Sequence, residues 1–214
     1  MRLLIASLII VANFLVAPAT HAQKVVPRAE ITDAAGDVNE FNGKANSFDV
    51  VTLGLDSDGK DLIVNVTLAA ETGAMASAAV ELYIDADNNV KTGGATEWGP
   101  AGFEYVAEVG ICFVVATGRI CTGGTDEPVK LRHAATMVER FTGAAGDELD
   151  RALEMTVSHL SSPETPQKGK TITERIRYSD LGVKKGQTIR IAAREADGKD
   201  GVASFFPDVL LKLK

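Results

Sequence analysis

The chain has 214 residues, of which 45% are hydrophobic and 6% aromatic, and its formal net charge at pH 7 is −7. Nucleic acids and anionic membranes are bound through clustered Lys and Arg side chains, so an acidic chain of this composition favours neither as a partner. The surplus of carboxylates is compatible with binding a divalent cation.

Residues 1–22 have the pattern of a secretory signal peptide. Arg2 is followed by a run over residues 3–12 that is apolar except for Ser7, and small residues close the segment. A membrane anchor is the alternative, but the run is shorter than the roughly 20 residues that a bilayer span needs, and Asn13 interrupts it. We expect cleavage after Ala22 and a mature protein that is exported, periplasmic or secreted, with no membrane insertion.

Removing residues 1–22 leaves 192 residues, a length compatible with one large all-β domain. Short apolar segments that alternate with period two, separated by frequent turn residues, predict an antiparallel two-sheet β-sandwich of jelly-roll-like type. We expect a flexible lead-in over residues 23–28 and a single domain over residues 29–214. Helical periodicity is weak, and only residues 147–153 allow a helical turn or two.

Several predicted strands show clear alternation. In the third strand, Val80, Leu82 and Ile84 occupy every second position, which places their side chains on one face, toward a core. Met155 has the same spacing relative to Leu153, which predicts that it also packs in the core. The predicted strands, in chain order, cover residues 48–55, 62–68, 80–84, 103–109, 129–133, 137–141, 153–157, 171–178, 188–193 and 209–213.

The two cysteines of the chain, Cys112 and Cys121, flank a short turn at Ala116 and Thr117. A hairpin centred on this turn places them opposite each other, and cross-strand Cα atoms lie about 4.5–5.5 Å apart, within the range that a disulfide accepts. Export favours oxidation. We therefore predict a disulfide between Cys112 and Cys121, with two free buried thiols as the alternative.

The most informative segment is the loop between the third and fourth predicted strands, which is long enough to need an organiser. Asp85, Asp87 and Asn89 occupy alternate positions at its start, as oxygen ligands do in loops that wrap round a calcium ion. The alternative is that these side chains only cap turns by accepting backbone N–H groups. We predict a structural calcium site at this loop.

Three side chains do not fill the shell of about six to eight oxygens that calcium takes. We expect backbone carbonyls of the loop to contribute, together with Glu104 on the return strand and with Asp33 or Asp37 from the N-terminal segment. The loop differs from an EF-hand, because its sixth position is Val90 instead of glycine and its twelfth is Thr96 instead of glutamate.

These residues also carry a family resemblance. The segment VELYIDADNNVKTGG, followed by GFEYVAEV, resembles the core motif of carbohydrate-binding module family 9 and of the wider DOMON-like sandwich superfamily. In these families a strand ends in a turn rich in Asp and Asn, followed by Lys-Thr-Gly, and the next strand carries an aromatic residue. The resemblance implies a two-sheet sandwich, often with structural calcium, that binds carbohydrate or, in some branches, haem.

The carbohydrate-binding members place a tryptophan just before the matching strand, where this chain has Ala-Met-Ala-Ser at residues 74–77. Trp98, the only tryptophan of the chain, lies inside the loop and is our candidate for stacking on a sugar ring. The alternative is that Trp98 anchors the loop on the edge of the sandwich.

Two other functional classes stay open beside a carbohydrate-binding module: a haem-binding redox domain and an exported protein-interaction domain without a small ligand. Haem needs axial ligands, usually His or Met, and no recognisable pair of them is present. No HExxH or GxSxG motif and no Ser/His/Asp spacing is present either, so we expect a non-enzymatic protein. The candidate axial ligands are Met75, Met137, Met155, His133 and His159.

Overall fold

The structure, a computed structural model, describes residues 24–33, 49–70, 79–97, 100–114, 119–120, 131–160, 169–197 and 201–214. These ranges form strands almost throughout, with one short 3₁₀ turn at Leu149–Arg151. The strands are β1 (Val25–Val26), β2 (Ala29–Thr32), β3 (Val50–Ser57), β4 (Asp61–Leu68), β5 (Ala79–Asp85), β6 (Gly94–Ala95), β7 (Ala101–Phe103), β8 (Tyr105–Val114), β9 (Arg119–Ile120), β10 (Leu131–Phe141), β11 (Leu153–Leu160), β12 (Thr171–Arg177), β13 (Thr188–Asp197) and β14 (Gly201–Lys212).

Two sheets pack together and confirm the predicted all-β sandwich. The larger sheet has the order β1-β14-β13-β5-β8-β10-β11, with β9 paired to β8, and the smaller sheet has the order β12-β4-β3-β2. A separate two-stranded ribbon, β6 with β7, lies in the loop after β5. The pairs are antiparallel except for β1 with β14, which is parallel. Among the residues that the structure describes, no helix has the length and apolar character to cross a membrane.

The main core lies between the two sheets and follows from strand alternation. In β4 every second residue is buried and the intervening ones are half-buried, as the sequence predicts for a strand with one face on a core. The predicted inward residues of β5 are also buried there. Members of this core from the two sheets include Leu53, Leu55, Leu62, Val64, Val66, Val80, Leu82, Ile84, Ala107, Val109, Ile189 and Ile191.

A second, smaller apolar cluster, which is not predicted from the sequence, covers the opposite face of the larger sheet at one end. The loop over residues 142–148 holds the β6–β7 ribbon against this face, because the N–H of Ala95 donates to the carbonyl oxygen of Asp147 at 2.8 Å. The sheet is therefore buried on both faces at this end. The buried members of the cluster are Tyr83, Phe103, Val106, Phe141, Leu149 and Ala192.

Two strand boundaries differ from prediction. The lead-in expected to be flexible over residues 23–28 contains β1, which pairs with β14 and extends the sheet. The two strands predicted over residues 129–133 and 137–141 are one continuous strand, β10. Small residues interrupt the apolar pattern there, yet Ala134 and Thr136 are buried, and Thr136 donates a hydrogen bond to Glu174 at 3.1 Å.

The predicted core position of Met155 is wrong, because its side chain is 56% exposed. The register of β11 against β10 shifts at this point: Val157 pairs with Val138, but the next pair is Met155 with Glu139. Thr156 is thus an extra residue, and such a β-bulge reverses the face on which the following side chains lie.

Candidate metal centre

Three charged side chains form a row across the outer face of the larger sheet, where β5 meets its loop. Ile84 points into the main core, so strand alternation turns Asp85 to the outer face. Arg190 of β13 pairs with Asp85 in register. Glu104 extends the row on the other side, because its N–H donates to the carbonyl oxygen of Ile84 at 3.0 Å. We call Arg190, Asp85 and Glu104 the loop-end row.

The loop after β5 turns back on itself through side-chain caps. Asn88 adopts a left-handed backbone with φ of 55°, which Asn tolerates better than most residues. The N–H of Asn89 donates to Oδ1 of Asp85 at 2.9 Å, and the N–H of Lys91 donates to Oδ1 of Asn89 at 3.2 Å. The turn-capping alternative is therefore observed for both side chains. Asp85 can still bind a cation, because Oδ1 accepts one backbone N–H and keeps a second lone pair.

Two glycines allow the loop after β5 to lie directly on β7. Gly102 has φ of 94°, and a Cβ atom there would lie 2.6 Å from the Cα of Val90. Gly93 has φ of 62°, and a Cβ atom there would lie 2.5 Å from the carbonyl oxygen of Phe103. No larger residue fits at either position without moving backbone, so the loop is held close to β7 at two points.

Three carboxylates converge at this end of the sheet. One oxygen each from Asp85, Asp87 and Glu104 lies within 4.8 Å of the other two. Oε2 of Glu104 accepts the N–H of Ala86 at 2.8 Å. Its other oxygen, Oε1, is buried and has no hydrogen-bond partner among the residues that the structure describes. A buried polar atom without a partner is costly, and a coordinated cation would satisfy it.

The charges at the centre are only partly balanced. Burial raises the pKa of the Asp85 carboxyl and of the Glu104 carboxyl above their ordinary values. Oδ2 of Asp85 lies 3.1 Å from Nε and 3.0 Å from Nη2 of Arg190. Asp87 accepts the Thr92 hydroxyl at 3.0 Å. Within the described part of the chain, only Asp85 of the three carboxylates forms an ion pair.

Of the predicted calcium ligands, Asp85, Asp87 and Glu104 lie together. Asn89 lies in the same loop, but its Oδ1 accepts a backbone N–H within the loop. Asp33 lies elsewhere, beside β3, where its N–H donates to the carbonyl oxygen of Val51 at 3.1 Å.

The remaining predicted sites fall wholly or partly outside the residues that the structure describes. Asp37, Trp98 and Cys121 are among these, so their expected roles in calcium binding, sugar stacking and the disulfide stay predictions. The described pairs Phe113 with Ile120 and Val114 with Arg119 have the register that the predicted cysteine hairpin requires.

Two contributors to the centre, Arg190 and Thr92, are not among the residues predicted from the sequence. The available signal for Arg190 is a positive charge inside the apolar segment IRIAA of β13, because a charge in a buried strand needs a partner. The partner itself is not visible in the sequence, since Asp85 lies 105 residues away in the chain.

A second row of similar composition crosses the outer face four residues further along each strand. Arg194 pairs with Glu81 in register, and Glu81 pairs with Glu108; we call these three residues the mid-sheet row. Arg194 forms a salt bridge with Glu81, and the Tyr83 hydroxyl donates to the same carboxylate at 2.6 Å. Burial, reinforced by the charges of Glu81 and Glu139, raises the pKa of Glu108 to about 7.

Comparisons of the chain with protein-family models, with curated proteins and with solved structures found no match. The resemblance of residues 80–109 to carbohydrate-binding module family 9 and to DOMON-like domains therefore stays a prediction.

Proposed function

We propose that this chain is a calcium-binding β-sandwich protein, in which Asp85, Asp87 and Glu104 hold a structural Ca²⁺ ion. The observation that carries the proposal is Oε1 of Glu104, a buried carboxylate oxygen without a hydrogen-bond partner among the described residues, in a side chain grouped with two further carboxylates. Such an arrangement leaves negative charge uncompensated, and a divalent cation both neutralises it and completes the contacts of Glu104.

The donor set favours calcium over other metals. The three ligands are all carboxylates, which are hard oxygen donors, whereas zinc and copper sites are typically built from His and Cys. Oxygens within 4.8 Å of one another can share a Ca²⁺ ion, whose opposite ligands are about 5 Å apart. Calcium also tolerates the irregular geometry of a loop, and backbone carbonyls or water would complete its shell.

The ion would join two segments that the sheet alone does not connect. Asp87 lies in the exposed loop, while Glu104 is fixed at the start of the return strand by two backbone hydrogen bonds, to Ile84 at 3.0 Å and from Phe141 at 2.8 Å. Bridging them restrains the loop against the sheet. The expected role is structural, because no part of it requires a bound substrate.

The test is thermal unfolding in calcium and in EDTA, with calorimetric titration of calcium. At a concentration about 100-fold above Kd, the ion would contribute about 2.7 kcal/mol to the free energy of unfolding, or roughly 5–10 °C in Tm for a domain of this size. Asp87→Asn and Glu104→Gln should each lose most of this rise, because each removes a charged ligand.

Asp147→Asn is the matched control. Asp147 is an exposed loop carboxylate at the same end of the molecule, and it accepts the N–H of Ala144 at 3.0 Å, a bond that the Asn oxygen can keep. The Asp147→Asn variant should show the same calcium-induced rise in Tm as the wild type. A wild-type protein with no binding heat and no rise in Tm would remove the proposal.

The proposal includes export and a non-enzymatic binding role, which rest on the sequence alone. The predicted signal peptide, residues 1–22, and the predicted sugar-stacking residue, Trp98, lie outside the described ranges. Carbohydrate is the ligand class that the resemblance implies, with haem or a partner protein as the alternatives.

A further inference from the structure

Arg190 is the most completely buried cation beside the proposed calcium centre, with 9% of its surface exposed. Its guanidinium pairs with Asp85 through two nitrogens and also donates to the carbonyl oxygen of Ala101. It lies 4.6 Å from the ring centroid of Phe103, on which it stacks. A group held by this many contacts has a fixed position and is part of the centre.

The guanidinium balances one of the three converging carboxylates and no more. It contacts Oδ2 of Asp85, and the N–H of Asn89 donates to the other oxygen of the same carboxylate. Asp87 accepts the Thr92 hydroxyl and Glu104 accepts the N–H of Ala86, and neither carboxylate forms an ion pair with a cationic side chain that the structure describes. The guanidinium also contacts a second carboxylate, that of Asp208, at 3.3 Å, but this side chain is 34% exposed and so partly hydrated.

We propose that Arg190 is the resident cation of this centre: it holds the buried Asp85 carboxylate in place when no metal is bound, so that the sandwich folds without calcium. This inference rests on the proposed calcium site. In this arrangement Arg190 neutralises the buried Asp85 carboxylate, and calcium mainly neutralises Asp87 of the loop and Glu104. Removing the charge of Arg190 should therefore transfer its role to calcium and make stability depend on the metal.

The decisive variants are Arg190→Gln and Arg190→Lys. Gln keeps a hydrogen-bond donor but loses the charge, whereas Lys keeps the charge but loses the planar fork and much of the stacking. If charge is what matters, the calcium-induced rise in Tm should be at least about twice the wild-type value in Arg190→Gln and close to the wild-type value in Arg190→Lys. If Arg190 contributes only packing, the calcium-induced rise in Tm should be the same in Arg190→Gln and in Arg190→Lys.

Calcium affinity gives a second readout that a packing role would not improve. A positive charge a few ångströms from the ion opposes its binding, so calorimetric titration should give a Kd for Arg190→Gln that is on the order of tenfold lower than the wild-type value. Arg194→Gln is the matched control, because it removes the same side chain from the same strand, in the mid-sheet row. Its calcium response should equal that of the wild type.

The outcomes separate this inference from the proposed calcium site. Wild-type binding with equal responses from Arg190→Gln and Arg190→Lys overturns the inference and leaves the site standing. Calcium binding by Arg190→Gln but not by the wild type overturns the proposed function and also this inference, which requires that the wild type binds calcium beside Arg190. Binding by neither overturns both. If Arg190→Gln is unfolded in EDTA, refolding in calcium supports the inference, and failure to refold overturns it.

Discussion

The loop-end row and the mid-sheet row each contain one arginine and two carboxylates, but their excess negative charge is expected to be balanced in different ways. Each places one arginine of β13 beside one carboxylate on β5 and another at or near β8, and each arginine stacks on an aromatic ring, at 4.6 Å for Arg190 and 5.5 Å for Arg194. The rows lie four residues apart on the same strands, with Tyr83 pairing with Val106 between them.

The difference lies in what surrounds the second carboxylate. In the loop-end row, the chain supplies a third carboxylate, Asp87, close to Glu104, and a divalent cation is the natural counter-charge. In the mid-sheet row, Arg194 and the Tyr83 hydroxyl both contact Glu81, which leaves Glu108 opposite a like charge. Burial there raises the pKa of Glu108 to about 7. We therefore expect the loop-end row to take the proposed metal ion and the mid-sheet row to take a proton on Glu108.

We expect the largest loss of stability from Gly102→Ala, because this substitution pushes the loop away from β7. A Cβ atom at this position would lie 2.6 Å from the Cα of Val90, and the positive φ adds its own penalty. We expect a loss of about 3 kcal/mol in the free energy of unfolding together with weakened calcium binding. Chemical denaturation and calcium titration measure the two effects.

Gly146→Ala is the control for backbone strain alone. Gly146 has a similar φ, 86°, but a Cβ atom there would meet nothing within 4 Å. Its substitution should cost only about 1–2 kcal/mol and leave calcium binding intact. Equal losses in both variants would show that the loop does not depend on close apposition at Gly102.

An intermediate effect is expected from Glu108→Gln, which tests the proton in the mid-sheet row. Because burial raises the pKa of Glu108 from 4.5 to about 7, the folded state binds more protons than the unfolded state between these values, and stability falls as pH rises through this window. The charges facing Glu108 are those of Glu81, Glu139 and Arg194. Gln does not ionise, so the variant should be more stable than the wild type by up to about 3 kcal/mol above pH 7.

This gain should vanish below about pH 4.5, where the wild-type carboxyl is protonated in both states. Denaturation series across the pH range, with Glu154→Gln as the control at an exposed position of β11, measure the difference. A gain that does not change with pH would contradict the assignment of the proton to Glu108.

We expect the smallest effect from Thr92→Val, which tests whether the Thr92 hydroxyl supports calcium binding beside the loop-end row. The Thr92 hydroxyl lies 3.0 Å from Oδ1 of Asp87 and 2.8 Å from the carbonyl oxygen of Asn89. Losing this donor should weaken calcium binding about fivefold, or roughly 1 kcal/mol. Thr92→Ser keeps the hydroxyl and should bind like the wild type; titration with an unchanged Kd for Thr92→Val would exclude this contribution.

The sandwich and half of the centre follow from local sequence. The alternation in β4 and β5 fixes which side chains enter the main core, because strand side chains have a period of two. Asp85 and Asp87 are found by their position at a strand end, and Glu104 by its place at the start of the return strand. The proximity of these three carboxylates follows from local sequence because the residues are close in the chain or joined by one loop, whereas their role as calcium ligands stays a prediction.

The remainder depends on pairings between distant segments. Arg190 reaches Asp85 only because β13 lies next to β5, and no local pattern specifies that neighbour. The second apolar cluster has the same origin, since Phe103, Phe141 and Leu149 come from separate segments. The predicted core position of Met155 is wrong for another reason. The extra residue Thr156 forms a β-bulge, which turns the following side chains to the other face of the strand, and such a bulge cannot be recognised from the alternation of the sequence.

The second apolar cluster also bears on dynamics. Tyr83 and Val106 pair with each other at the centre of the larger sheet, shielded by this cluster on one face, while their neighbours Leu82 and Ala107 are shielded by the main core on the other. Local opening of these strands would expose both clusters at once, which makes slow amide exchange the expected behaviour there. The loop that carries Asp87 follows directly from β5, which is covered on both faces, so we expect its fluctuations to stay within the loop itself.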